Sequence, residues 1–257
     1  MLKIGITQIK NSSIVEENFH SIIKSLNYFE STGVDIIMFP ECSLSGFTGK
    51  VNECSKDQLN SYLSEIENWS KINEKYVVLP TAFIEGEKIF NTGFIFGECE
   101  AQQFYKLGLT DSEKTFFSTP NRKLNKVFRI RGYNLAILVC FEAQQDPWKY
   151  FNNGDVDIIL WPGYWGWLKG ESWQELKKDG EQNLIFENMK KWQRPLVQSN
   201  FAFNDLKAHS GAGPHGQSMF VNSNNKLFGK GEYDSESCYE LHISNNEIQF
   251  CKKVADL

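Results

Sequence analysis

The sequence predicts an α/β protein in which two mixed β-sheets pack face to face, with helices on the outside. Two strands, Val34–Phe39 and Asn134–Cys140, are almost continuously apolar, which is typical of strands covered on both faces. Segments with helical periodicity also alternate with paired strands, which favours layers of helix against sheet. Because no linker or low-complexity segment interrupts the chain, residues 1–257 are expected to form one domain.

The opening of the chain predicts a β-α-β unit, then a helix and a hairpin. Ile22, Leu26 and Phe29 recur at helical spacing, and Glu85-Gly86-Glu87 is a turn between two runs rich in β-branched and aromatic residues. The predicted elements, in order, are a strand over Lys3–Gln8, a helix over Ile14–Glu30, a strand over Val34–Phe39, a helix over Gln58–Ile72, and strands over Tyr76–Ile84 and Lys88–Phe96.

Strands dominate the rest of the prediction. Arg131-Gly132 indicates a hairpin turn, and Cys140 is followed by a turn and a short helix. The predicted strands are Phe104–Lys106, Lys126–Ile130, Asn134–Cys140, Asp157–Trp161, Leu196–Asn200, Gln217–Val221 and Cys238–Ile243, with one long polar helix over Trp173–Trp192.

Charge and hydropathy disfavour nucleic acid and membranes as partners. The formal net charge is −5, and no long Lys/Arg cluster is present to neutralise phosphates. The longest apolar run, Leu135–Phe141, is far shorter than the roughly 20 residues that a membrane span needs. The first ten residues lack the apolar segment of a signal peptide. We therefore expect a soluble, cytoplasmic protein.

The six cysteines do not indicate a metal site or a disulfide framework. They are widely spaced, with no Cys-x-x-Cys pair and no neighbouring histidine. A chain of this size can bury a sufficient core without disulfides, so reduced thiols are expected. The sequence therefore predicts no metal and gives each cysteine first the role of a small buried side chain.

Three strand ends carry side chains that could act together. Glu41 follows the strand Val34–Phe39, Lys106 lies in an apolar stretch, and Cys140 ends a third apolar strand. Each alone is commonplace, because such glutamates often cap turns, such lysines reach solvent, and such cysteines pack in cores. Together they supply a nucleophile, a carboxylate to move its proton and a cation for a developing oxyanion, which is what acyl transfer by a thiol needs.

These residues and their surroundings resemble the nitrilase superfamily of carbon-nitrogen hydrolases, with a Glu-Lys-Cys triad in the same order. The resemblance runs from Ile4 to about Gly229. The segments that carry it are Pro40-Glu41 with Ser45-Gly46-Phe47; Asn91-Thr-Gly-Phe-Ile; Tyr105-Lys106; Ser112-Glu113-Lys114-Thr-Phe-Phe; Gly132 to Glu142; Asp157 to Pro162; Gln198-Ser-Asn200; and Gly216-Gln-Ser218.

The resemblance implies a four-layer αββα sandwich that hydrolyses a small non-peptide amide through a thioester, with no cofactor or metal. It makes Cys140 the nucleophile, Glu41 the general base and then acid, and Lys106 the cation that stabilises the tetrahedral intermediate. The backbone N–H of Phe141 would assist, and Glu113 would lie near the substrate, although it could equally be a solvated helix cap. Glu142 would support the catalytic residues without contacting the substrate itself.

The same resemblance implies a substrate pocket and a homodimer. Tyr164 and Trp165 would line the pocket and favour a flat or apolar amide, although these rings could instead fill the core or an interface. The helix before Asn200 departs from the family pattern, because Glu187-Asn188 lies out of register. That departure weakens the case for the usual dimer contact and leaves the triad untouched.

Four alternatives stay open on the sequence alone. The same mechanism would serve an N-carbamoyl compound or a nitrile, and the same fold could be a catalytically silent binding protein. A papain-like arrangement would pair Cys140 with His209 or His215. A redox switch would need a resolving thiol near Cys140, and Cys42, next to Glu41, is the candidate.

Overall fold

The computed structural model describes residues 1–47, 53–121, 126–165, 169, 182–203 and 216–257. Within these residues, the regular elements are three α-helices and thirteen strands. The helices are α1 (Val15–Glu30), α2 (Lys56–Ile72) and α3 (Gln182–Trp192). The strands are β1 (Leu2–Gln8), β2 (Ile36–Met38), β3 (Tyr76–Glu85), β4 (Lys88–Phe96), β5 (Gln102–Tyr105), β6 (Val127–Ile130), β7 (Tyr133–Ile137), β8 (Ile158–Pro162), β9 (Leu196–Ser199), β10 (Met219–Val221), β11 (Leu227–Lys230), β12 (Ser237–Ser244) and β13 (Glu247–Asp256).

The strands form two mixed sheets built on the same plan. The first has the order β13-β12-β1-β2-β3-β4-β5, and the second has the order β11-β10-β9-β8-β7-β6. Each has a parallel centre, β1-β2-β3 in the first sheet and β7-β8-β9 in the second. Antiparallel strands flank each centre. The parallel strands are covered on both faces, as their continuous apolar sequences predict.

Three apolar clusters define four layers. One cluster lies between the sheets and includes Ile4, Ile137 and Leu160. A second joins α1 and α2 to the outer face of the first sheet, and a third joins α3 to the outer face of the second. The order helix, sheet, sheet, helix is therefore the αββα sandwich, and the predicted fold class is confirmed.

Helix α1 shows why the sequence forms the outer layer. Its buried apolar residues Val15, Phe19, Ile22, Leu26 and Phe29 recur every three to four positions and so lie on one face. Burying a side chain of this size stabilises the fold by about 1.5–3 kcal/mol. The first turn of α1 has no side-chain cap, so packing against the sheet supplies most of its stability.

The main differences from the predicted elements lie at strand ends and at the edges of the sheets. The strand predicted to reach Cys140 ends at Ile137, and the one predicted to include Lys106 ends at Tyr105. The edge strands β11 and β13 were not predicted, because an exposed edge strand carries polar residues that obscure the apolar pattern. Of the predicted helix over Trp173–Trp192, residues 182–192 are described and helical, and the rest lies outside the described residues.

No helix in the described part of the chain is long and apolar enough to cross a membrane.

Candidate active site

The structure brings the predicted carboxylate and ammonium into direct contact. Glu41 Oε1 lies 2.7 Å from Lys106 Nζ, and both side chains are almost completely buried. Glu113 Oε1 lies 2.6 Å from the same Nζ, so one ammonium bridges two carboxylates. The Cys140 thiol and the Glu41 backbone both contact the loop after β8, through the carbonyls of Tyr164 and Gly163. We call Glu41, Lys106, Glu113 and Cys140 the charged cluster.

The turn after β2 carries Glu41 into the interior. The Glu41 N–H donates to the Gly163 carbonyl at 3.4 Å, which fixes this turn to the end of β8. Further along, Ser45 Oγ accepts the Ala82 N–H at 2.9 Å and holds the turn against β3. Gly46 has a φ of +74°, and a Cβ there would lie 2.1 Å from the Ser12 carbonyl oxygen. The Ser45-Gly46 pair in the sequence therefore has a structural purpose.

Lys106 leaves the end of β5 and is held by β4. Its backbone N–H donates to the Asn91 carbonyl at 2.8 Å, which continues the pairing of the two strands by one step. Its side chain reaches the two carboxylates, so it does not extend to solvent as a lysine between aromatic residues often does.

Glu113 is buried and paired, so the solvated-cap alternative is wrong. It begins a short 3-10 helix, Glu113–Thr115. Its Oε1 accepts from Lys106, and its Oε2 accepts the Thr110 N–H at 2.8 Å. The carboxylate thereby fixes its own turn while facing the Lys106 ammonium.

Asn91 on β4 is a site residue whose role was not predicted from the sequence. Its Nδ2 donates to Glu41 Oε1 at 2.8 Å and to Glu113 Oε1 at 3.3 Å. The amide therefore orients the two carboxylates toward Lys106 Nζ. The available signal was a polar amide in the buried middle of a strand that is mostly apolar.

Cys140 lies at a sharp change of backbone direction. It begins the 3-10 helix Cys140–Gln144 and has a φ of +47°, which non-glycine residues rarely adopt and which costs about 1–3 kcal/mol. The Trp161 indole N–H donates to its carbonyl at 2.9 Å and holds this conformation. The thiol lies 3.5 Å from the Tyr164 carbonyl, to which it can donate. The half-buried thiol thus lies beyond the end of β7 and faces the loop after β8.

Burial controls the ionisation of the charged cluster. Desolvation, followed by the charge of Glu41, raises the pKa of the Cys140 thiol well above its usual value, and Lys106 only partly offsets them. Burial also raises the pKa of Glu41, against the opposing charge of Lys106. Burial alone would lower the pKa of Lys106, but its anionic neighbours, Glu41 first, raise it well above the usual value. The resting cluster therefore holds a charged lysine and a protonated thiol.

Lys106 alone does not suffice to ionise the thiol. Its ammonium lowers the pKa of the Cys140 thiol. Two carboxylates share this one cation, however, and the thiol is desolvated. The Cys140 thiol consequently needs a base to accept its proton at neutral pH.

Tyr164 and Trp165 lie in the loop after β8, next to the charged cluster. The Tyr164 ring packs in the core, with its centroid 4.8 Å from that of Phe47 and 5.4 Å from that of Phe201, and its carbonyl lies 3.5 Å from the Cys140 thiol. Trp165 is half-buried, and Asn200 accepts its backbone N–H at 3.0 Å and donates to its carbonyl at 3.1 Å. The Trp165 ring packs against the third apolar cluster, with its centroid 5.4 Å from that of Trp161.

Phe141 and Glu142 follow Cys140 in its 3-10 helix. Phe141 is half-buried, whereas Glu142 is fully buried and pairs with Lys126 at 2.7 Å. Asn188 on α3 donates to the Ala143 and Gln145 carbonyls at 2.9 and 2.7 Å and anchors the helix from outside. Asn188, which lies out of register with the family pattern, therefore holds the segment that begins with Cys140.

The structure bears on two of the alternatives, the papain-like pairing and the redox switch. His209 and His215 lie outside the described residues. Of the described histidines, His20 is exposed on α1 and His242 pairs with Glu240, and the described residues hold no group of three or more metal-binding side chains. Cys42 packs in the core on the helix side of the first sheet, while Cys140 packs against the core between the sheets. Both thiols are free, and the redox switch stays a prediction from the sequence.

The fold assembled by these residues is that of the nitrilase-superfamily amidases. The chain superposes on an amidase from Nesterenkonia sp. AN1 with a TM-score of 0.78 over 95% of this chain and 94% of that one, at 16% identity. A cysteine-to-alanine variant of that amidase in complex with butyramide gives 0.76, over 93% and 89%, at 16% identity. A further variant, showing Michael addition of acrylamide at the active-site cysteine, gives 0.78, over 96% and 94%, at 15% identity.

No protein-family model and no curated protein sequence matches the chain. At such identities, the structural likeness shows the fold, as the sequence resemblance implied.

Proposed function

We propose that this chain is a nitrilase-superfamily amidase, which hydrolyses a small non-peptide amide through a thioester on Cys140. The observation that carries the proposal is the buried bridge from Glu41 through Lys106 to Glu113 beside a protonated thiol. Removing these charges from water costs several kcal/mol per ion, and a catalytic role would account for keeping them buried. The amidase fold and the butyramide and acrylamide complexes of the structural neighbour support the same reading.

Acylation uses the two ends of the Glu41 carboxylate differently. Glu41 Oε1 is held by Lys106 and Asn91, while its buried Oε2 has no hydrogen-bond partner among the described residues. Oε2 is therefore available to take the thiol proton as the Cys140 sulfur bonds to the substrate carbonyl carbon. The carbonyl π electrons move to oxygen and form the tetrahedral oxyanion.

Lys106 is prepared to stabilise this oxyanion. An ammonium has three donors, of which two are engaged by Glu41 and Glu113. The third, together with the Phe141 N–H, would bind the developing charge in a site from which water is largely excluded. The carbon–nitrogen bond then breaks, and the amine leaves with the proton returned by Glu41.

Deacylation reverses the proton transfers with water as the nucleophile. The oxygen of water attacks the thioester carbonyl while Glu41 accepts a proton from that water. Glu41 then returns the proton to sulfur when the carbon–sulfur bond breaks. The products are a carboxylic acid and the regenerated thiol. Glu113 would hold Lys106 and the substrate nitrogen in place, and Trp165 would contact an apolar acyl chain.

A substrate panel tests the proposal. Acetamide, propionamide and butyramide are offered beside an aliphatic nitrile and an N-carbamoyl amino acid, with ammonia release and intact protein mass as readouts. We expect amide hydrolysis and an acyl adduct on Cys140. A faster reaction with the nitrile or the carbamoyl compound would show that the substrate is not an amide but belongs to that other class. Binding without turnover or adduct would indicate a catalytically silent binding protein.

The dependence of kcat/KM on pH is expected to have an acidic limb and no alkaline limb below about pH 10. Glu41 must be ionised to accept the thiol proton, so activity falls as pH drops through its pKa. Burial raises that pKa above the ordinary 4.5, so the half-maximal point should lie above pH 4.5. Lys106 stays charged throughout, because its pKa is raised. Initial rates between about pH 4 and pH 10 measure the profile.

Glu113→Gln supplies the control for this assignment. The charge of Glu113 contributes to the raised pKa of Glu41, so its removal should move the acidic limb to lower pH. Circular dichroism across the range shows whether the chain stays folded. An unmoved limb, or an activity maximum near neutrality with an alkaline decline, would contradict the role given to Glu41.

The homodimer, the cytoplasmic location and the single domain over residues 1–257 stay predictions from the sequence.

A further inference from the structure

A second buried ion pair lies behind the charged cluster and takes no part in the chemistry above. Lys126 Nζ lies 2.7 Å from Glu142 Oε2, and both side chains are completely buried. Removing two charges from water costs several kcal/mol per ion, so such a pair is weak evidence of stabilisation by itself. The backbone groups that it binds indicate another purpose.

Glu142 binds the backbone beside both Lys106 and Cys140. Its Oε1 accepts the Leu107 N–H at 2.7 Å and the Gly108 N–H at 3.2 Å, directly after Lys106. Its Oε2 accepts the Val139 N–H at 2.7 Å, directly before Cys140. One carboxylate thus links two segments that are more than thirty residues apart in sequence.

Lys126 completes the link on the other side of Lys106. Besides Glu142, its ammonium donates to the Tyr105 carbonyl at 2.7 Å. The rings of Phe104 and Tyr150 lie 6.0 and 5.7 Å from Nζ and add cation–π contacts. The backbone on each side of Lys106 is therefore bound by this one pair.

We propose that Lys126 and Glu142 are positioning residues, which fix the separation of the Lys106 ammonium and the Cys140 thiol by holding the two backbone segments that carry them. This inference rests on the proposed function for its kinetic consequence. A carboxylate suits the task because its two oxygens accept all four donors, whereas a neutral amide would turn an NH₂ group toward some of them.

Lys126→Met is the variant that tests this role. Methionine keeps most of the volume and leaves Glu142 with its three backbone donors, while the bond to the Tyr105 carbonyl is lost. Displacement of a catalytic group by about 1 Å can cost up to about 100-fold in rate, so we expect kcat to fall about 10- to 100-fold with KM changed much less. Lys126→Arg, which keeps the charge and donors, should recover part of kcat.

Lys75→Met is the matched control. Lys75 is also a buried lysine that donates to backbone carbonyls, those of Thr32 and Val34, far from the charged cluster in the fold. Its replacement should lower the unfolding temperature by less than Lys126→Met does, because no buried carboxylate loses its cation, and should leave kcat unchanged. If both variants lose kcat in proportion to their loss of stability, the pair is merely structural and the positioning role is overturned.

The alkylation rate of Cys140 separates this inference from the proposed function. Labelling by iodoacetamide, followed by peptide mass, reads the placement of the thiol relative to Glu41 and Lys106 without any substrate turnover. Slower labelling in Lys126→Met and wild-type labelling in Lys75→Met support the positioning role even if no amide is hydrolysed. Equal labelling rates in the two variants overturn it, whatever the wild-type protein hydrolyses.

Discussion

Cys140→Ala is expected to lower kcat for amide hydrolysis by about 10⁴-fold or more, since it removes the atom that forms the thioester. The fold should persist, because the side chain is half-buried and its packing is limited to the edge of the core between the sheets. Ammonia release measures the rate, and intact mass after incubation with an amide shows whether an acyl adduct forms. No adduct is expected on the variant.

Cys251→Ala is the matched control for that experiment. Cys251 is another half-buried free thiol, on the edge strand β13, and it lies away from the charged cluster. This variant should keep full activity and still form the adduct. Cys140→Ser should be nearly as inactive as Cys140→Ala, because a hydroxyl gives up its proton much less readily than a thiol. A Cys140→Ala protein that keeps a tenth or more of wild-type activity would contradict the mechanism.

The positions of the candidate catalytic residues could be predicted because they lie just beyond the ends of strands. Glu41, Lys106 and Cys140 each lie within three residues of a strand end, where loops are held by a rigid sheet. The pattern of apolar strands and amphipathic helices also sufficed for the αββα layers. Local sequence carries this information because burial on both faces of a strand demands continuous apolar residues.

The contacts within the site could not be predicted from local sequence. Glu113 has the same local sequence whether it caps a solvated turn or binds Lys106, and only the arrival of β5 decides between them. Asn91 and Lys126 lie on or beside strands, and their partners come from distant parts of the chain. The left-handed backbone of Cys140 likewise depends on support from Trp161 on β8. These features belong to tertiary structure, which a periodicity does not encode.

The buried charges form two neighbouring groups. In the proposed mechanism the Glu41–Lys106–Glu113 group acts on the reacting atoms, while the Lys126–Glu142 pair holds the backbone from which Lys106 and Cys140 project. Both groups are desolvated, so each cation is worth more to its carboxylates than it would be in water. Loss of either lysine should therefore lower the free energy of unfolding substantially. The larger effect is expected for Lys106, because two carboxylates depend on it.

Lys106→Met is expected to abolish activity and to destabilise the fold by about 3 kcal/mol near pH 8, because it leaves two buried carboxylates without their shared cation. Urea unfolding followed by circular dichroism measures the change in the free energy of unfolding. Asn91 still donates to both carboxylates, but an amide carries no compensating charge. One of the two carboxyl groups must then take up a proton to stay buried.

That proton uptake gives the destabilisation a definite pH dependence. The carboxyl pKa in the folded variant rises further above its unfolded value, so the folded state binds more protons than the unfolded chain between the two values. The free energy of unfolding must therefore fall as pH rises through this window and recover on acidification. A variant whose stability deficit is the same near pH 5 and pH 8 would show that burial of two carboxylates is not its cause.

The double variant Lys106→Met/Glu113→Gln separates the charge of Lys106 from its catalytic role. With one carboxylate removed, the repulsion between two like charges disappears, but burial still raises the pKa of Glu41. Part of the stability lost at high pH should return, while activity should not, because the oxyanion still lacks its cation. Recovery of both would mean that Lys106 serves only to neutralise its neighbours, and catalysis would then have to rest on Glu41, Cys140 and the backbone alone.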